Sequence, residues 1–368
     1  MIPLGGGRTM IHVNMFSKAD SVKGQGVGSA YLEQVALVKE ELSQDISVTI
    51  NKLGTKEVTH YHSINPEFFF TIPFAKRKGT AVGYVHFIPE TLEESIHLPN
   101  FCKRPFYWYV MKFYKSMDML VTVNPCFIKK LEAYGIDSNK VTYIPNYVSS
   151  KTFHPITTCN KEDLKTQYGL DPSKFTVLGV GQLQIRKGIL DFVEVAKQMP
   201  ELQFVWAGGF SFGMITDGYE EIKKITEHPP SNVTFLGIIE REKMNELYNL
   251  ADVMFLPSFN ELFPMTVLES MNCNIPMLLR DLDLYEDILF DFYLKGNSVD
   301  EFVSLLERLH NDKNFHRKAI EMSKKGKEFY SREHVASMWK EFYHRAYNHK
   351  PPKIKTKSGL KIGPRTNF

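Results

Sequence analysis

Cysteine is scarce in this chain: four residues in 368, Cys102, Cys126, Cys159 and Cys273, scattered without a C-x-x-C pair. That spacing argues against a zinc site and a disulfide framework, and a reducing cytoplasm is the simplest setting. Long apolar runs are missing too. Although 43% of residues are hydrophobic, no stretch reaches 18 apolar residues, so no membrane span is expected. The opening Met1-Ile-Pro-Leu-Gly-Gly-Gly-Arg-Thr9 has neither a basic start nor a long apolar stretch, so no signal peptide is expected. Gly24, Gly26 and Gly28 are not spaced as G-x-G-x-x-G, which speaks against a nicotinamide site. A net charge of only +3 is poor support for a nucleic-acid partner.

What is present is an alternation of strand and helix patterns, which argues for an α/β chain with parallel sheets and crossover helices. At 368 residues the chain exceeds one ordinary core, and two units of about 150 to 180 residues are the natural division. The reading places a first domain at 10–156, with strands from Ile11 to Val141 and a glycine turn, Gly24 to Gly28, leading into a helix from Ser29 to Ser43. A polar linker lies around Lys151 to Ser173, and a second domain spans 170–330. A final helix within 331–350 carries Val335, Trp339, Phe342 and Ala346 at near-helical spacing. Residues 351–368 form a basic tail. Charge follows this division: +4 for residues 1–156, −6 for 157–350 and +5 for the tail.

The chemistry concentrates in Glu261-Leu-Phe-Pro-Met-Thr-Val-Leu-Glu269. Upstream, Ala251 to Ser258 reads as a buried strand, so Glu261 lies just past a strand's carboxyl end, where open parallel sheets bind ligands. Leu262, Phe263, Pro264, Met265 and Thr266 then run into the first turn of a helix, whose free amides face any bound anion. This layout suits a sugar attached to a phosphate: Glu261 toward sugar hydroxyls, the amides toward phosphate oxygens, Glu269 toward a ribose diol. A plain strand-loop-helix with two solvated glutamates is the alternative. A second strand, from Val177, runs into a loop holding Gln182, Arg186, Lys187 and Gly188, a place where basic side chains neutralise a diphosphate.

With Tyr143-Ile-Pro-Asn146, Gly188 after Lys187, Trp206-Ala-Gly-Gly209, Val233-Thr-Phe-Leu-Gly237 and the glutamate pair following one another along the chain, it resembles a retaining glycosyltransferase of the two-domain GT-B class, family 4. The resemblance implies two Rossmann-like domains facing across a cleft, with the last helix crossing back to the first domain. It implies catalytic roles for His86, Glu261 and Lys187. Donor contacts are implied at Gly26, Gly28, Gln182, Arg186, Lys187, Gly237, residues 262 to 266 and Glu269. The donor is expected to be UDP-glucose or UDP-galactose. Gln182 departs from the arginine that the family often has, which removes a fixed charge near the diphosphate, and Asn274 stands where the family often has glycine. Asp281-Leu-Asp283 is a literal D-x-D, but nothing nearby completes a metal shell, so it reads as loop acid and no metal is expected. Lys187, Arg186 and the helix start are left to stabilise leaving-group charge.

Residues 101–117 carry the acceptor question. Phe106, Tyr109, Val110, Phe113 and Met117 share one helical face, while Arg104, Trp108, Lys112 and Lys115 share the other, with Pro105 expected in the first turn. The plain reading is a core-facing helix with solvated cations. The basic first domain and tail favour docking on an anionic membrane, on the inner face of the cell membrane. Asn14 to Tyr31 further resembles bacterial glycolipid synthases that add a second hexose to monoglucosyl-diacylglycerol, the anchor of lipoteichoic acid. A soluble or polyprenyl-linked glycan acceptor is the runner-up, and a non-catalytic GT-B scaffold is the reading from another class.

Overall fold

The computed structural model describes residues 9–18, 26–52, 54, 56–89, 100–210, 213, 216 and 218–349. Gly24 and the basic tail 351–368 lie outside the described residues. The first sheet contains β1 (Ile11–Phe16), β2 (Ile46–Ile50), β3 (Val58–Tyr61), β4 (Thr80–Val85), β5 (Met119–Thr122) and β6 (Val141–Tyr143). Their spatial order is β2-β1-β3-β4-β5-β6. The second contains β7 (Thr176–Val180), β8 (Gln203–Ala207), β9 (Val233–Gly237), β10 (Val253–Leu256), β11 (Met277–Arg280) and β12 (Leu294–Gly296), in the order β12-β11-β10-β7-β8-β9. Every pairing is parallel. The sequence explains this: β4 (TAVGYV) and β10 (VMFL) are buried at every residue, as strands covered by helices on both faces must be.

Along the first domain run α1 (Gly26–Glu41), α2 (Pro66–Phe69), α3 (Ile72–Lys78), α4 (Asn100–Lys115) and α5 (Cys126–Ala133). Along the second run α6 (Lys161–Gln167), α7 (Ile189–Gln198), α8 (Tyr219–Glu227), α9 (Arg241–Leu250), α10 (Met265–Asn272), α11 (Glu286–Leu289), α12 (Val299–Asn311) and α13 (Lys313–Phe329), and α14 (Arg332–Asn348) closes the described chain.

Three local expectations need correction. α1 starts at Gly26 rather than Ser29, so Gly26 and Gly28 belong to the helix's first turn. The polar stretch before β7 is not all linker: Asn160 caps α6 by accepting from the Asp163 amide at 2.7 Å, and Lys161 and Lys165 reach Asp252 at 2.8 and 3.1 Å. Those charges are polar because they pair across elements, which a hydropathy pattern cannot distinguish from solvation. Pro105 lies inside α4 rather than in its first turn, since the helix already begins at Asn100.

α14 packs on the first sheet. Val335, Trp339, Phe342, Tyr343 and Ala346 are buried. Thr80 Oγ1 donates to the Ala346 carbonyl at 2.6 Å, and the Tyr343 hydroxyl meets His60 Nδ1 at 3.0 Å. Lys340 pairs with Asp45 at 2.6 Å. The last helix therefore ties the end of the second domain to the first. Trp339→Ala is expected to cost about 3 to 5 kcal/mol, as for other buried aromatics cut to alanine. Thermal unfolding checks this, and an unchanged midpoint would mean that the helix is not held through its indole.

Candidate active site

In the second sheet β7 and β10 are neighbours, and the chain leaves them in opposite directions, β7 toward β8 and β10 toward β11. Open α/β sheets bind ligands at such a switch point, beyond the carboxyl ends of the strands. The loop after β7 supplies Gln182, Arg186 and Lys187, and the loop after β10 supplies Glu261 to Pro264. A short 3₁₀ turn, Ile185–Lys187, ends at Gly188 with φ 72°, and a Cβ there would overlap the Pro257 carbonyl of the other loop. Only glycine allows these two backbones to approach so closely.

This approach brings Lys187 Nζ onto Glu261 Oε1 as a hydrogen-bonded ion pair. Both side chains are largely buried, at 12% and 6% exposure. Burial pushes the Glu261 carboxyl upward, but Lys187 and Arg186 outweigh that effect and hold it below the usual carboxylate range, with a hydrogen bond from Ser258 adding to them. Burial presses Lys187 below the usual amine range while Glu261 works against it. An ammonium has three donors, so Lys187 keeps two for other acceptors. Arg186 Nη1 donates to the Asn260 carbonyl at 3.1 Å, and its buried Nε has no partner.

Helix α10 begins at Met265, with Pro264 extended at its N-cap and no acid in the first turn. The amides of that turn lack intrahelical acceptors, and the positive end of the helix dipole sits there. The buried Thr266 hydroxyl oxygen is also without a partner. Phe263 is buried against Tyr330, 5.1 Å between ring centroids, and Leu262 packs against the cores of both domains. The loop after β10, pinned by its apolar residues, thus presents one carboxylate and a helix start, and the loop after β7 sets two cations against it.

Glu269 sits elsewhere in the network. Its Oε1 accepts from Arg241 Nη1 at 3.0 Å and its Oε2 from the Tyr248 hydroxyl at 2.6 Å. Burial raises its pKa, with Arg241 and Tyr248 opposing. Arg241 also reaches Glu33 of α1 at 2.6 Å, and Glu33 accepts from the Ser149 amide at 3.0 Å. Arg241, Tyr248 and Glu33 were not legible as site residues, because their partners come from distant segments. Gly26 and Gly28 open α1, seven and five residues before Glu33. Gly237 ends β9 with φ 70°, and its carbonyl accepts from the Gly208 amide at 2.8 Å. Gln182 is half-buried in the loop after β7.

His86 follows β4 at the carboxyl edge of the first sheet. Its ring stacks on Tyr84 at 4.3 Å and lies 6.5 Å from His62, and its Nε2 has no partner. Burial lowers its pKa to about 4, so the imidazole is neutral near pH 7. Asp281 of the D-x-D pairs with Lys295 at 3.3 Å and accepts from Tyr293 at 3.4 Å, while Asp283 opens a separate 3₁₀ turn. Among the described residues no group of three or more His, Cys, Asp or Glu is placed to hold a metal ion.

In α4, Val110 and Phe113 are buried, as is Met117 just beyond its end, while Arg104, Lys112 and Lys115 are exposed and Trp108 is 67% exposed. Beside it lies α2, packed through Phe69 against Tyr109 and Phe113, and α3 follows directly. Phe70 and Phe74 there are 72% and 57% exposed, with Arg77 over the Phe74 ring. In the run of three phenylalanines, Phe68 to Phe70, the packing puts Phe68 inside and Phe70 outside.

Comparison with known proteins adds to this geometry. Residues 160–326 match the family model described as glycosyl transferases group 1. The chain is 45% identical over 337 residues to the alpha-galactosylglucosyldiacylglycerol synthase of Streptococcus pneumoniae, covering 90% of this chain and 89% of that protein. It is 26% identical over 298 residues to the processive diacylglycerol alpha-glucosyltransferase of Acholeplasma laidlawii, covering 80% and 87%. Anabaena HepE, solved in complex with UDP-glucose, superposes with a TM-score of 0.71 at 12% identity, covering 91% of this chain and all of that one.

Proposed function

Because this chain belongs to the family of glycosyl transferases group 1 and has the GT-B fold, we propose that it is a retaining hexosyltransferase acting on a membrane glycolipid. It moves glucose or galactose from a UDP-sugar to an acceptor of the monoglucosyl-diacylglycerol type, a step in making the lipoteichoic acid anchor. The observation that carries this reading is the buried Lys187–Glu261 pair at the β7/β10 switch point, beside the start of α10. Relatives named for galactosylglucosyl- and glucosyl-diacylglycerol synthesis support the acceptor class.

In this reading the second domain holds the donor. Lys187, Arg186 and the first-turn amides of α10 meet the diphosphate, whose negative charge grows as the glycosidic bond breaks. Glu261 accepts hydrogen bonds from the hexose hydroxyls, and the neutral His86 faces the transferred sugar or the acceptor hydroxyl from the first domain. Glu269 takes the ribose diol with lone pairs left over beyond Arg241 and Tyr248. Docking at the inner face of the cell membrane falls to Arg104, Trp108, Lys112 and Lys115, joined by Phe70 and Phe74. No helix among the described residues is long and apolar enough to cross a membrane, so attachment in this scheme is peripheral. The test offers purified protein a panel of UDP-sugars with monoglucosyl-diacylglycerol in detergent and identifies product and anomeric configuration. Transfer only to a soluble glycan, or inversion at the anomeric carbon, would overturn the reading.

Metal independence is part of it. With Lys187, Arg186 and a helix dipole supplying the positive charge, turnover is expected to persist in excess chelator. A strict manganese requirement that disappears in Asp281→Ala would transfer the role to the D-x-D.

A further inference from the structure

Two asparagines of the first domain grip the donor loop of the second. Asn124, two residues past β5, is fully buried, and its Nδ2 donates to the Leu262 carbonyl at 2.9 Å and the Leu284 carbonyl at 3.0 Å. Its Oδ1 accepts from the Cys126 amide at 3.0 Å, so all three partners agree on one orientation of the side-chain amide. Asn146, three residues past β6, is also buried and donates from Nδ2 to the Phe263 carbonyl at 3.0 Å. The last two strands of the first sheet therefore send one amide each onto consecutive carbonyls, directly after Glu261.

The consequence follows from peptide planarity. A trans peptide directs its N–H opposite to its C=O. By holding the Leu262 carbonyl, Asn124 fixes the direction of the Phe263 N–H; by holding the Phe263 carbonyl, Asn146 fixes the peptide that leads into Pro264 and α10. From its own domain the loop is held by the Glu261 side chain on Lys187. Its backbone planes are set from across the domain boundary.

We infer that Asn124 and Asn146 are positioning residues that preorganise the donor loop, so that nucleotide-sugar affinity depends on the two domains being closed on each other. The inference rests on the donor site proposed above. It assigns no contact with substrate to either asparagine; both act through the peptide planes of residues 262 to 264.

The test uses the full chain and its affinity for UDP, measured by calorimetry, with Michaelis constants for donor and acceptor alongside. Asn124→Asp is the informative variant: above the carboxyl range its carboxylate confronts two carbonyl oxygens, and when protonated it regains one donor. Loss of two hydrogen bonds is expected to weaken UDP binding about tenfold near neutral pH, with the deficit relative to wild type shrinking as pH falls toward 5. Asn146→Ala, which removes a single bond, is the milder variant should the first fail to fold. It is expected to raise the donor Michaelis constant several-fold and leave the acceptor's unchanged. If both folded variants bind UDP like wild type, or if donor and acceptor constants change together with no recovery at low pH, the asparagines are domain glue only and the inference is wrong. Failure of the wild-type protein to bind UDP would overturn the donor site itself, and the clamp with it.

Discussion

Replacing Lys187 with methionine or Glu261 with glutamine is expected to cut hexosyl transfer by roughly 10²- to 10³-fold in each case, the usual cost of one lost electrostatic contact to a transition state. The two side chains form one buried pair, so each single replacement also leaves the other charge without its partner, at a stability cost of about 3 to 5 kcal/mol. That separates stability from catalysis. The double variant Lys187→Met, Glu261→Gln carries no orphaned charge and is expected to regain much of the lost thermal stability while remaining as inactive as the singles. Near-normal turnover in any of the three would move the donor site away from this pair. Recovery of activity in the double variant would mean that the pair serves the fold alone.

Changing Arg104, Lys112 and Lys115 together to serine is expected to weaken partitioning onto anionic vesicles about a hundredfold. Each cation near an anionic leaflet is worth about 1 kcal/mol, and the three add. Thermal stability is expected to stay nearly constant, since exposed side chains far from any network seldom contribute more than about 0.5 kcal/mol. High salt should imitate the substitution, because the same charges are screened. Vesicle sedimentation with transfer to lipid acceptor measured in parallel decides it. A triple variant that binds and glycosylates like the parent would leave α4 as a domain element and shift attention to Phe70 and Phe74.

Both expectations began in the sequence and were altered by packing. The motif from Glu261 to Glu269 is local, so its strand, loop and helix were readable from order alone. That Lys187 closes on Glu261, and that both are buried, depends on Gly188 letting the β7 loop touch Pro257, a contact between segments about 70 residues apart. The exposed face of α4 was readable because a helix repeats every 3.6 residues. The neighbouring Phe70 was not, because nothing in three consecutive phenylalanines says which one a second helix will cover, and Phe74 lies in α3, whose outward face only the packing shows.

Sequence by itself determined the parts whose cause is local: alternating elements, strands apolar enough to be covered on both faces, the loops at their carboxyl ends that carry Lys187 and Glu261, and an amphipathic last helix. Tertiary structure decided whatever needs two distant segments at once. It gave Glu269 to Arg241 and Tyr248, bound Arg241 to Glu33 of the other domain, and set Asn124 and Asn146 on the carbonyls of Leu262 and Phe263. The physical reason is that an amide or guanidinium finds its partner through space, over separations of 28 to 208 residues here, whereas propensity and periodicity act over a few turns of chain.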